Sequence, residues 1–307
     1  MRKFHSYGPV NAHSHFFAPR TVLVDQCLNS LIGSDSDNEG GHYFTIWAPR
    51  QTGKTWLTQE VKKRIELIYS DRFTVGMMSM QGVIMEDKDQ VDVFFNYIPN
   101  LFRRTFGVNV PEPDSWKSLS EYFSSGTVLF DKPVILFIDE FDKLPPRIID
   151  NLVNLFRDMY LDRHNFCIYG LALIGVSAVL GLDSERGSPF NIQRSLHVPN
   201  FTLDEVTDLF DQYQLESGQI VEPEVSQSVY ESTNGQPGLV GWFGELLTEK
   251  YNPGKNAPID ASTWNTVLRK ALFVEWNNTV LNLVKKVRSG YVPVSYTHLT
   301  LPTKRIV

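Results

Sequence analysis

Residues Ala48-Pro49-Arg50-Gln51-Thr52-Gly53-Lys54-Thr55 set a glycine, a lysine and a hydroxyl side by side, directly behind the apolar run Tyr43–Trp47. The spacing is that of G-x-x-x-x-G-K-[ST], with Ala48 in place of the first glycine. Each position has a physical reason. Backbone N–H groups at a helix start face a phosphate, and the helix dipole favours the anion there. Gly53 allows close backbone approach. Lys54 supplies a point charge to the β- and γ-phosphates. The Thr55 hydroxyl suits Mg²⁺, which prefers oxygen ligands shared with phosphate. Ala48 requires only a backbone angle that tolerates a Cβ. The cradle is taken to run from Ala48 through Trp56.

A second group of residues complements the first. Val134-Ile135-Leu136-Phe137-Ile138 ends in Asp139-Glu140. Carboxylates at the tip of a buried strand are costly unless they serve a cation or a proton transfer. Beside a phosphate loop, Asp139 would hold Mg²⁺ through water, and Glu140 would orient or deprotonate an attacking water. Asp142, two residues on, is open to two structural roles: pairing with Lys143 or capping the next helix.

The elements that must position these groups follow from hydrophobic pattern. Short apolar runs predict strands at 43–47, 73–80, 134–138, 166–176 and 195–198. Leu57, Val61, Ile65 and Ile68 recur at helical spacing and predict a helix over 54–69. Helices are also expected over 87–106 and 115–124, and after Pro145-Pro146, because proline is tolerated in a first turn. Strand and helix in alternation imply an α/β fold, a parallel sheet with helices on both faces. The pattern changes at Phe201. Thr202-Leu203-Asp204-Glu205 has the signature of a capping box, and only helical patterns follow, at about 202–215, 223–232, 237–250 and 262–287. The expected organisation is an α/β core over 1–200, a small all-helical domain over 201–293, and a separate tail over 294–307.

Further segments carry a family resemblance: Tyr7-Gly8-Pro9-Val10, Ala18-Pro19-Arg20, Ser188-Pro189-Phe190-Asn191-Ile192 and Asn234-Gly235-Gln236-Pro237-Gly238, together with 48–55 and 134–144. With these the chain resembles the AAA-like domain family of prokaryotic P-loop ATPases, close to the STAND and origin-recognition branches of the AAA+ class. The resemblance runs from near residue 4 to about 290. It implies a five-stranded P-loop NTPase core followed by a helical lid, with ATP and Mg²⁺ as cofactors. It implies that Arg20 lies near the adenine side, that Pro237 belongs to a lid motif packing on nucleotide, and that Ser177 occupies a polar sensor position facing the γ-phosphate. As alternatives, Arg20 would serve a surface salt bridge, Pro237 an ordinary helix start and Ser177 a buried bond to backbone. Arg186 and Arg194 fall where an arginine finger could lie, but neither carries a secure motif. Nor does a catalytic arginine follow Pro237. Slow hydrolysis used as a switch is therefore expected over ring-based turnover. Two alternatives stand beside it: a nucleotide-locked scaffold that recruits protein partners or self-associates, and an origin-recognition-like DNA loader.

Composition excludes several other classes. The 307 residues carry 29 Lys+Arg against 35 Asp+Glu, a net charge of -6, which opposes coating of nucleic acid by bulk charge. The two cysteines cannot form a disulfide framework, so a reducing, cytoplasmic setting is expected. The most apolar stretch, 166–182, is broken by glycines and Ser177 and is too short for a spanning helix, so no membrane association is expected. His13 and His15 form an H-x-H pair without accompanying ligands at suitable spacing, and are expected to be a loop feature. Residues 294–307 resemble the translation of a transposase-type sequencing adapter. They are set aside as foreign to the fold, with the natural chain expected to continue past Pro293.

Overall fold

The computed structural model describes residues 1–33, 41–176, 195–252, 254–275, 277, 280 and 281. The chain divides into two compact units: one holds 20–49 and 54–198, the other 1–19, 50–53 and the residues from 199 onward.

The first unit is α/β. In chain order it contains α1 (Thr21–Ile32), β1 (Tyr43–Trp47), α2 (Lys54–Ile68), β2 (Thr74–Ser79), α3 (Val91–Phe95), α4 (Ile98–Phe106), α5 (Trp116–Glu121), β3 (Val134–Asp139), α6 (Pro146–Leu161), β4 (Ile168–Gly175) and β5 (Ser195–His197). The five strands form one sheet in the order β2-β3-β4-β1-β5. Every pairing is parallel. Successive strand residues face opposite sides. Leu136 and Ile138 join the apolar layer with Phe102, Leu119 and Phe156 from α4, α5 and α6. Ile135 and Phe137 join the layer with Val24, Leu57, Val61 and Ile65 from α1 and α2. Strands covered on both faces must be apolar throughout, which is why β3 is an unbroken aliphatic and aromatic run.

Two departures from the sequence pattern have clear causes. The single helix expected over 87–106 is two, α3 and α4. Pro99 lacks an N–H, and its ring would meet the carbonyl of Phe95, so the helix breaks there and restarts with proline in its first turn. Ile68 does not continue the buried stripe of α2. It is the last helical residue and is exposed.

The second unit is helical: α7 (Leu203–Ser217), α8 (Pro223–Thr233), α9 (Pro237–Glu245), a π-helical turn over Leu246–Lys250, and α10 (Ala261–Phe273). α7 opens with a reciprocal capping box. Glu205 N–H donates to Thr202 Oγ1 (3.2 Å), and Thr202 N–H donates to Glu205 Oε2 (2.9 Å). The amino-terminal segment, which lies within the span expected for the α/β core, groups with this unit. Lys3 bridges His15 in parallel fashion. Phe4 and Phe16 are buried with Phe210, Tyr213 and Phe243. Glycines on α9 make this possible. A Cβ at Gly241 would overlap the His5 carbonyl, and one at Gly244 would overlap the Phe4 ring. His15 stacks on His5 with ring centroids 4.0 Å apart, and Ser6 donates to the Glu245 carboxylate at 2.9 Å.

Among the described residues no helix is long and apolar enough to cross a membrane, and no group of three or more His, Cys, Asp or Glu is arranged to hold a metal ion alone.

Candidate functional site

In a parallel sheet, ligands bind beyond the carboxyl ends of the strands. β4 lies between β1 and β3, so Ala48 and Asp139 emerge at the same edge of three adjacent strands. Trp47 sits beside Gly175 in the register. Ala48 N–H reaches the Gly175 carbonyl at 3.4 Å.

The loop from Ala48 to Thr55 is tightly formed. Ala48 is fully buried. It is not among the residues with positive φ, so the methyl group in place of glycine is accommodated without strain. The left-handed positions are Gln51 (φ 61) and Gly53 (φ 92). A Cβ at Gly53 would meet nothing within 4 Å, so glycine is required there by backbone angle and not by crowding. Thr52 is buried. Lys54 turns back over the loop, and its Nζ donates to the carbonyls of Ala48 (2.6 Å) and Pro49 (2.8 Å). Thr55 is the second residue of α2, and its carbonyl accepts from Thr58 Oγ1 at 3.1 Å. The Trp56 side chain packs against the apolar layer of α1 and α2.

Asp139 closes β3. Burial raises its carboxyl pKa above the ordinary value, with the Glu140 charge adding to that, while the Glu140 N–H and the Lys54 ammonium pull it back down. That N–H donates to Asp139 Oδ1 at 2.8 Å. Lys54 and Asp139, 85 positions apart in sequence, therefore share one electrostatic environment. Glu140 adopts the left-handed conformation (φ 57), uncommon for a residue with a Cβ and typical of functional turns. Its carboxylate pairs with Lys143 Nζ at 2.7 Å, and both side chains are partly exposed.

Asp142 takes neither role expected of it. Lys143 is already engaged by Glu140. Asp142 instead accepts the Val176 N–H through Oδ2 at 3.1 Å. A Cβ at Gly175 would lie 3.1 Å from its Oδ1. Asp142 thus ties off the end of β4, which donates an N–H once the strand ladder has stopped.

Other expected residues are distributed as follows. Arg20 has φ 45 and immediately precedes α1. With burial, its charge lowers the His197 pKa, and the His197 ring packs tilted against Trp47, with centroids 4.3 Å apart. Pro237 is the first residue of α9. Ser177, Arg186, Arg194 and Ser188–Ile192 lie outside the described residues, as do 294–307.

Gln236 lies inside the segment 234–238 that carries the family resemblance, but only Pro237 is given a site role by that resemblance. Gln236 caps α9, its Oε1 accepting the Leu239 N–H at 2.5 Å. Its Nε2 donates to the carbonyls of Arg50 (3.1 Å) and Gln51 (3.3 Å), and Gly238 N–H also donates to the Gln51 carbonyl at 3.1 Å. The signal available in sequence was a glutamine just before a helix-starting proline, which marks a cap and gives no hint of the second partner.

A family model described as "AAA-like domain" matches residues 5–287. The chain belongs to the AAA-like domain family. Solved structures share this AAA-like fold at low sequence identity. A Walker-type ATPase of Pyrococcus abyssi has a TM-score of 0.60 at 14% identity, over 94% of this chain and 79% of that one. Cdc6p from Pyrobaculum aerophilum has a TM-score of 0.58 at 17% identity, over 94% and 78%. Drosophila ORC bound to DNA has a TM-score of 0.61 at 12% identity, over 92% and 72%. No curated protein matches the sequence. The family and these likenesses give this AAA-like chain the fold of a P-loop ATPase.

Proposed function

We propose that this AAA-like protein binds ATP with Mg²⁺ and hydrolyses it slowly, as a conformational switch. The observation that carries the proposal is the loop itself. A left-handed Gln51 and Gly53 lead into α2, and the Lys54 ammonium acts on the half-buried carboxylate of Asp139.

Lys54 would exchange the neutral Ala48 and Pro49 carbonyls for the anionic β- and γ-phosphate oxygens, so that its ammonium gains an ion pair. Thr55 and Asp139 offer the oxygen donors that Mg²⁺ prefers, and a cation shared with phosphates needs no self-sufficient protein cage. Bound there, Mg²⁺ would neutralise charge developing on the transferred phosphoryl group. Asp139 fits such a neighbour, because burial makes its ionised form unfavourable until a cation compensates. Glu140, fixed by its left-handed turn and by Lys143, would orient the attacking water and accept its proton.

We read the helical unit as a lid that closes on nucleotide binding and is released on hydrolysis, as in other γ-phosphate-held switches. Glu140→Gln should retain ATP binding and lose phosphate release by about 10²- to 10⁴-fold, the usual share of a general base. Turnover equal to wild type would remove Glu140 from that role.

A further inference from the structure

Four successive carbonyls of the phosphate loop accept from two side chains. Lys54 Nζ takes those of Ala48 and Pro49. Gln236 Nε2 takes those of Arg50 and Gln51. The two donors differ in what ATP would do to them. Lys54 is a mobile cation that phosphate would attract away from its neutral partners. Gln236 is neutral, buried, and fixed at its other end as the cap of α9, so phosphate offers it nothing in exchange.

In a trans peptide the C=O of one residue and the N–H of the next point in opposite directions. Holding the Arg50 and Gln51 carbonyls toward Gln236 therefore turns the N–H groups of Gln51 and Thr52 to the other side of the loop. Such backbone donors are what a phosphate loop presents to an anion. Glutamine is suited to this post because one amide carries both a donor and an acceptor: Nε2 serves the loop and Oε1 serves the Leu239 N–H. Gly238 contributes space as well as its N–H, since a Cβ there would come within 2.7 Å of Gln51 Oε1.

We propose that Gln236 is a positioning residue for nucleotide, setting the peptide planes of the phosphate loop through its carbonyls. The proposal rests on the nucleotide-binding function above. It makes the first turn of α9 a reader of loop conformation: a loop that swings to a different phosphate state must either keep both amide bonds or pull on the cap of α9.

The test separates the two duties of the amide. Gln236→Ser keeps a strong helix cap but cannot reach the loop. Gln236→Glu keeps the Leu239 acceptor and, when ionised, sets an oxygen against two carbonyls. Equilibrium titration with ATP and with ADP, well below the melting temperature, should show affinity reduced about tenfold in Gln236→Ser, the worth of two amide hydrogen bonds. Gln236→Glu should show a comparable loss at pH 9 that recovers toward pH 5, where a protonated carboxyl can donate again. A residue that only supports the fold would lower the melting temperature without this recovery. ATP affinity within twofold of wild type in both folded variants at pH 9, with Lys54→Ala binding lost, overturns the role of Gln236. Affinity unchanged in Lys54→Ala as well overturns the nucleotide site itself.

Discussion

The candidate site and the glycine face of α9 both depend on tightly placed backbone, but they obtain it differently. At the candidate site the tight places are turns, made by local conformation. Gln51, Gly53 and Glu140 are left-handed within a few residues of a strand end, and the partners of Lys54 are five and six residues away. On α9 the tight places are long-range contacts made by missing side chains. Gly241 and Gly244 lie in an ordinary helix, and their lack of Cβ admits the backbone of His5 and the ring of Phe4. Conformation governs one kind of glycine and space the other. The difference teaches where each region is vulnerable: a substitution in the first changes chemistry, whereas a substitution in the second changes assembly of the fold.

Gly241→Ala probes the comparison with the larger expected effect. The added methyl must displace the amino-terminal segment or shift α9, and overpacking of this kind costs about 1–3 kcal/mol. Denaturant unfolding should show that loss. An unaltered unfolding midpoint would mean that the segment does not rest on α9 through this glycine.

Asp139→Asn tests the other side and should be the smaller effect on stability. Burial raises the folded pKa of Asp139. The carboxyl therefore favours the fold below its unfolded pKa of about 3.9, and that advantage is lost as pH rises through the higher folded value. At neutral pH the amide variant should melt slightly higher than wild type, by about 1–2 °C for a fraction of a kcal/mol. The gap should close below about pH 4. A variant that melts lower than wild type at pH 7 would mean that the Lys54 attraction outweighs burial, and that the site is already balanced without a cation.

The same contrast explains what the sequence made legible. The central strands β3 and β4 were readable because buried parallel strands are largely apolar, and the loop at 48–55 and the acids at 139–140 were readable because their partners are close in sequence or fixed by strand order. Thr202 and Glu205 were readable because a capping box spans only four residues. The α3–α4 break was missed because the apolar rhythm continues across Pro99 and masks it. Asp142 was misassigned because its partner, the Val176 N–H, exists only once β4 is laid beside β3. Gln236, and the docking of Phe4 beside Gly244, depend on contacts across about 185 and 240 residues. No local pattern encodes such a contact, and a glycine in a helix gives no sign of what its missing side chain admits.

The central claim is that the loop at Lys54 binds ATP. Calorimetric titration of Mg·ATP into wild type and Lys54→Ala tests it most directly. The account predicts saturable, one-site binding to wild type, weakened at least about 30-fold in the variant, the worth of a charge-assisted contact near 2 kcal/mol. Equal affinity in the two proteins, or no binding to wild type, would contradict it.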